Sequence, residues 1–190
     1  HLKNAQLDVS ILDPVADQIR LGSRYCSGGY IYQVTDSTLG ALCAGPAYPA
    51  EFPPVFDGQG LPEAFRDGLG TGGDDAVILA IGVGLVTRKA REVKQYCQWQ
   101  VTQAANMIQM RTTQAHLDWS LELTRTVTLE NRTVKSETRL KNTGRGEMPF
   151  RWFPHPFFPL TPSGECCKFS VPVSFPENPG YTWAPSGFIA

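Results

Sequence analysis

The chain has 190 residues, 42% of them hydrophobic and 18% charged, a balance that suits a folded core and is too apolar for a disordered segment. Its net charge of -1 and isoelectric point near 6.3 give no electrostatic basis for binding nucleic acid or an anionic membrane. Eighteen glycines and 15 prolines favour turns over long helices, and the longest apolar run is too short to span a bilayer.

The N-terminus, HLKNAQLDVSILD, lacks the basic-then-apolar layout of a secretory signal. After Gly28-Gly29, which can make a bend, IYQVTD at 31–36 alternates and reads as a strand. Residues 40–75 are loaded with Gly and Pro and carry no period, and a stretch of that kind tends to hold function or cover a core. AVILAIGVGLV at 76–86 is apolar on both faces and reads as one buried strand, with Gly82 and Gly84 marking a bulge or a close backbone approach. CQWQV at 97–101 alternates, with Cys97, Trp99 and Val101 on one face.

The clearest element is a long hairpin over 117–144. Leu117, Trp119, Leu121 and Leu123 share one face, and after a turn at Glu130-Asn131-Arg132 the return strand places Val134, Ser136, Thr138 and Leu140 together. No long amphipathic helix appears. The expectation is an all-β chain, a sandwich of about seven or eight strands forming one domain over 1–190. The tail from Ser163 to Ala190 shows no long strand pattern, so the expectation is also that the functional polypeptide continues beyond it.

Several motifs read as structural. GLGTGG at 68–73 satisfies GxGxxG, but a β-rich run follows it where a dinucleotide site needs a helix. Asn131-Arg132-Thr133 is a glycosylation sequon that also reads as turn chemistry. His116 falls with the polar face of the hairpin and reads as a surface residue. Cys26, Cys43, Cys97, Cys166 and Cys167 are odd in number, lack CxxC spacing and include an adjacent pair, which reads as reduced thiols in a cytoplasmic protein. With three histidines, a histidine-rich metal site is not expected, and no metal or other cofactor is assigned.

FRWFPHPFFP at 150–159 is different. His155 sits between two prolines with aromatic residues on both sides. Phe153 and His155 each precede a proline and are driven toward extended backbone. Pro154 and Pro156 donate no N–H, so the segment belongs at a strand end or edge. Such a stiff mount fixes where an imidazole points, as general acid catalysis requires. Aromatic neighbours lower a histidine's pKa and a carboxylate raises it. The alternative is a histidine that packs with Trp152, Phe157 and Phe158.

The hairpin, followed by Asn142-Thr143-Gly144, Pro149-Phe150 and His155-Pro156-Phe157-Phe158, resembles the galactose mutarotase-like, or aldose 1-epimerase-like, family. The resemblance covers Leu117–Pro159 well and Arg20–Leu85 more loosely. It implies a β-supersandwich whose concave face binds an aldose, a monosaccharide or sugar phosphate, without metal or nucleotide. It implies a general acid at His155, protonating the ring oxygen while a base takes the proton of the anomeric hydroxyl. The family's base is a glutamate far downstream, in a region outside this chain. A second family histidine belongs in a loop that corresponds to 57–67, where Gln59 or Glu63 stands instead. Gln59, Glu63, Arg66, Trp152 and Phe157 are the expected substrate-binding residues. Two other functions fit the same residues: a carbohydrate-binding module without chemistry, and an accessory sandwich of a larger carbohydrate enzyme.

Overall fold

The computed structural model describes residues 1–45, 59–172, 174 and 180–189. Within them the chain is all-β, with thirteen strands and one short helix. Strands β1 (Leu2–Lys3), β2 (Leu7–Ile11), β3 (Ile31–Asp36) and β4 (Gly40–Ala41) form an antiparallel sheet in that order, and the helix α1 (Gln18–Leu21) interrupts it between β2 and β3. Strand β5 (Glu63–Arg66) joins a two-stranded ribbon described below. Strands β6 (Val77–Ala80), β7 (Gly84–Thr87) and β8 (Val93–Tyr96) make a three-stranded meander. Strands β9 (Gln100–Gln103), β10 (Met107–His116), β11 (Trp119–Glu130) and β12 (Thr133–Asn142) form the largest sheet, ordered β12-β11-β10-β9. The last strand, β13 (Arg151–Pro154), pairs with β5.

The sequence pattern explains the core. Alternation along β11 buries Leu121, Leu123, Val127 and Leu129 on one side, where they meet Val9, Ile31 and Val34 of the first sheet in a single cluster. Each such side chain withdrawn from water contributes about 1.5–3 kcal/mol. The result is a sandwich-like stack of antiparallel sheets. Strand β3 spans the residues expected, and the β11–β12 turn falls at Asn131, whose φ of 51° is a left-handed value that asparagine tolerates.

Four expectations change. The apolar run at 76–86 is a hairpin, β6 and β7, because Gly82 (φ 74°) in the turn and Gly84 (φ 140°) at the start of β7 take positive-φ conformations that favour glycine. A Cβ at Gly84 would stand 2.0 Å from the Gln95 carbonyl oxygen, so this glycine also permits the approach of β8. CQWQV is divided between the link after β8, which holds Cys97, Gln98 and Trp99, and the start of β9; Trp99 is buried while Val101 is 48% exposed. Leu117 lies in the tight β10–β11 turn (φ 52°), 65% exposed, and is not a core residue. His116 accordingly belongs to β10, on the inward face shared by Ile108, Met110, Thr112 and Gln114. Its Nε2 meets the Val77 carbonyl at 3.0 Å, tying β10 to β6.

The inward face of β12 is only half-buried, since β12 is the sheet edge. Two glycines of GLGTGG serve packing: a Cβ at Gly68 or Gly70 would fall 2.6 or 2.7 Å from the Ile78 side chain, and β6 follows rather than a helix. All five cysteines are free, and burial pushes Cys26 up to about 11 and Cys97 up to about 12. Among the described residues no helix is long and apolar enough to cross a membrane, and no group of three or more His, Cys, Asp or Glu could hold a metal ion.

Candidate functional site

The β5–β13 ribbon carries the candidate residues. Its register is Arg151↔Arg66, Trp152↔Phe65, Phe153↔Ala64 and Pro154↔Glu63, and the pairing runs on past Pro154. The His155 amide donates to the Pro62 carbonyl at 2.9 Å, and the Phe157 amide to Gly60 at 2.8 Å. Only alternate residues of an antiparallel strand point their N–H groups at the partner. Pro154 and Pro156 occupy the intervening positions, where no ladder donor is missed. The prolines therefore stiffen the strand without weakening its pairing, as their expected edge placement requires.

Because side chains alternate, the ribbon has two faces, and they divide the expected site residues. His155 lies on one face, half-buried. Its ring stacks on Phe157 (centroids 4.6 Å apart, interplanar angle 24°) and meets the edges of Phe153 (5.2 Å) and Tyr25 (6.2 Å). Below it Leu21, Tyr25, Tyr30 and Ala64 form a small separate core against which Phe153 packs. Arg66 shares this face, its guanidinium 4.8 Å from the Phe153 ring. Gln59 is nearby, its amide donating to the Tyr30 hydroxyl at 3.3 Å, while Asp57 and Gly58 of the expected loop lie outside the described residues.

Beside Phe153 and Tyr25 the face opens into a cleft of about 500 Å³, walled also by Ser23, Arg24, Arg66 and Arg91. Arg91 is locked in place: its Nη2 donates to the Ser23 carbonyl at 2.7 Å, and the Ser23 hydroxyl donates to the Arg91 carbonyl at 2.5 Å. Burial pushes the Arg91 pKa below its usual value, because a half-desolvated guanidinium resists its charge. Arg24 lies 5.1 Å from the Tyr25 ring centroid, a cation–π distance.

Glu63 and Trp152 are on the opposite face. Arg125, projecting from the buried row of β11 with only 2% exposure, pairs with Glu63 through both terminal nitrogens, with Nη2 at 2.8 Å from Oε1. The indole Nε1 of Trp152 donates to Oε2 at 2.8 Å, and the Thr138 hydroxyl donates to the same oxygen at 3.1 Å. Burial pushes the Glu63 carboxyl up, but hydrogen bonds and charge from Arg125, then Trp152 and Thr138, outweigh it and hold the group below its ordinary value. A carboxylate so engaged is a structural anion. Ser136, Thr138, Leu140, Phe150 and Trp152 surround it in a smaller groove of about 370 Å³, with Trp152 half exposed.

The ribbon thus gathers His155, Arg66 and Phe157 on one side and Glu63 with Trp152 on the other. Among the described residues, Asp67 is the carboxylate walling the His155-side cleft, 3.5 Å from Arg151. It lies at the far end of the ribbon from His155, about five residues or roughly 16 Å of strand rise away. Arg24, Arg91, Tyr25 and Arg125 were not singled out from the sequence. Arg125 sits at an inward position of β11 between Leu123 and Val127, and a charged residue inside an apolar alternation was the available signal. No protein-family model, curated protein or solved structure matches the chain.

Proposed function

We propose that the face bearing His155 binds a sugar and that His155 donates a proton to its ring oxygen, making the chain an aldose 1-epimerase-type isomerase. The observation that carries this reading is the imidazole, held against Phe157 and flanked by Phe153 and Tyr25, two rings that also wall a cleft sized for a monosaccharide. Aromatic rings offer a pyranose ring's C–H face a flat apolar surface, and the paired ribbon limits the imidazole's movement. The likeness of the Asn142-Thr143-Gly144 to His155-Pro156-Phe157-Phe158 segment to mutarotase-like chains supports the same assignment.

The proton balance closes through solvent. The imidazolium gives its proton to the ring oxygen, the bond from that oxygen to the anomeric carbon breaks, and the anomeric hydroxyl passes its proton to water as it becomes a carbonyl. Rotation about the adjacent carbon–carbon bond and reclosure give the other anomer, the carbonyl oxygen taking a proton from water and the ring oxygen returning its own to the imidazole. Glu63 is not the base in this scheme, because Arg125 and Trp152 hold it on the opposite face. Asp67 is too distant along the ribbon.

The engagement of Glu63 also favours a second reading, sugar binding without chemistry. Polarimetry of freshly dissolved α-glucose, α-galactose and their 6-phosphates separates the two, with sugar binding measured alongside. An accelerated approach to equilibrium that His155→Ala abolishes, in a variant of unchanged melting temperature, supports the isomerase. Saturable binding with no acceleration replaces it with the binding module, and a fully active His155→Ala protein removes His155 from the mechanism.

A further inference from the structure

Cys166 and Cys167 are adjacent, free and half-exposed, and nothing in the sugar reading uses them. A closed turn leads into the pair. The Thr161 amide donates to the Glu165 carbonyl at 2.8 Å, the Gly164 amide to the Thr161 carbonyl at 2.9 Å, and the Glu165 amide to the Thr161 hydroxyl at 3.0 Å. On the other side the Ser186 hydroxyl donates to Glu165 at 2.6 Å, and the Lys168 ammonium to the Ser186 carbonyl at 3.0 Å, which fastens 183–189 along the segment. The Cys166 amide donates to the Ile189 carbonyl at 2.7 Å, and the Ile189 amide donates to the Cys167 carbonyl at 2.9 Å. In a regular strand the N–H of one residue and the C=O of the next point to opposite edges. Here both face Ile189, so two residues oppose one, as in a β-bulge. The bend takes the two side chains off the diverging path of a flat strand, and the thiols meet in a hydrogen bond. Desolvation, then the charge and hydrogen bond of Cys166, hold the Cys167 thiol above its ordinary value, so the pair loses its protons one at a time.

We propose that Cys166 and Cys167 form a redox-active dithiol, a modification site at which exchange with a small-molecule disulfide closes a ring between the two neighbouring sulfurs. In the first step one thiolate attacks a sulfur of the small disulfide, its S–S bond breaks, and one small thiol leaves. In the second step the neighbouring thiolate attacks the protein sulfur of that mixed disulfide and expels the second small thiol. The protein dithiol is oxidised by two electrons, the small disulfide is reduced to two thiols, and the two protein protons end on those thiols. Neighbouring cysteines on a straight strand diverge and stop after the first step. The bend held by Ile189 permits the second, because it has already brought the sulfurs together. Cys26 and Cys43 are buried, and burial pushes Cys97 up to about 12, so a reagent meets the 166–167 pair first.

The test is incubation of the native full chain with oxidised glutathione, followed by blocking of the remaining thiols, trypsin digestion and mass spectrometry. Trypsin cuts after Arg151 and Lys168, so the peptide 152–168 holds Cys166 and Cys167 and none of the other three cysteines. In the wild type this peptide is expected to escape blocking, to be about 2 Da lighter than its reduced form, and to regain both hydrogens with dithiothreitol. Its mixed disulfide is expected to stay below about a tenth of the total, because the second step is intramolecular. Cys166→Ser and Cys167→Ser are each expected to stop at the mixed disulfide, one small thiol heavier. Ile189→Pro removes the N–H that bonds the Cys167 carbonyl. It is expected to slow ring closure by at least about tenfold and to leave the first exchange unchanged.

A wild-type peptide that accumulates as the mixed disulfide overturns the ring, and so does a native chain whose pair does not react. A disulfide between two chains, seen as a dimer on a non-reducing gel and lost in both serine variants, overturns it as well. Ring closure as fast in Ile189→Pro as in the wild type keeps the dithiol and overturns its positioning by Ile189. None of these outcomes bears on the sugar reading, since every variant leaves His155 and its neighbours in place.

Discussion

Arg125 and Glu63 join β11 to β5 through a two-pronged ion pair, with the arginine Nη2 2.8 Å from Oε1 and almost no solvent reaching its side chain. The same guanidinium bonds the carbonyls of Gly28 (3.2 Å) and Gly29 (3.4 Å), so one side chain ties together the largest sheet, the ribbon and the loop before β3. Breaking such a pair from one side leaves a charge buried without its counter-ion, at a cost of about 3–5 kcal/mol. Glu63→Gln is expected to lower stability by that order in urea denaturation, and Arg125→Met likewise. Because each single change strands the other partner, the double variant Glu63→Gln/Arg125→Met is expected to lose clearly less than the two losses added together. Strict additivity in that cycle would show that the two side chains act independently.

The pair also sets a pH dependence. Glu63 is held below its ordinary value of 4.5 in the folded chain, so the stability it supplies is fully present above that value. It is lost as pH falls through the lower, folded value. Asp36 shares the sign: the amides of Thr38 and Leu39, then Arg132, hold its carboxylate low. Melting temperature is therefore expected to be flat from about pH 7 to 5 and to fall below that. In Glu63→Gln the fall below pH 5 is expected to be shallower than in the wild type, with the remainder due to Asp36 and its like. Identical slopes for both proteins would take Glu63 out of the acid response.

Thiol reactivity should divide along burial. Cys26 and Cys43 are buried, and desolvation pushes Cys26 up to about 11 and Cys97 up to about 12, which leaves almost no thiolate at neutral pH. Cys166 and Cys167 are half-exposed and adjacent. A disulfide reagent at pH 8 is expected to titrate these two first and the other three only after denaturant is added. Rapid reaction of all five in the native chain would contradict the packing around Trp99.

Gly28 and Gly40 make a contrasting pair. A Cβ at Gly28 would lie 2.3 Å from the indole of Trp99, which is pinned by its Nε1 bond to the Ser27 hydroxyl at 2.9 Å. Overpacking of that kind costs about 1–3 kcal/mol, and Gly28→Ala is expected to show it with an altered near-ultraviolet signal from Trp99. Gly40 has φ 80° with open space around it, so Gly40→Ala carries only backbone strain of about 1 kcal/mol. Equal losses for the two would mean that Trp99 moves aside freely.

Much of the fold was legible because it is periodic. Strand β3 and the β11–β12 hairpin announce themselves by alternation, which depends only on neighbours two residues apart. The run at 76–86 misled because uniform apolarity says that a segment is buried without saying whether it turns, and Gly82 in the turn and Gly84 at the start of β7 supply the positive-φ positions. Leu117 misled for a related reason: the two-residue turn it occupies ends one alternation and begins another, so the face of His116 flips.

The candidate site was half legible. Prolines flanking His155 specify a stiff, edge-placed imidazole from local stereochemistry alone, and the aromatic residues at 153 and 157 specify its immediate company. What those residues could not specify is which neighbours arrive from elsewhere. Alternation assigns Glu63 and Arg66 to opposite faces of β5 only once the register with β13 is known, and that register is a contact between segments some ninety residues apart. Arg125, the partner that silences Glu63, comes from a third strand, and Arg24 and Arg91 reach the cleft from two further loops. Side-chain chemistry and backbone stiffness travel with the local sequence, whereas the charge a site feels is a sum over space. For that reason the imidazole could be found by reading along the chain, and the arginine-walled cleft beside it only by folding it.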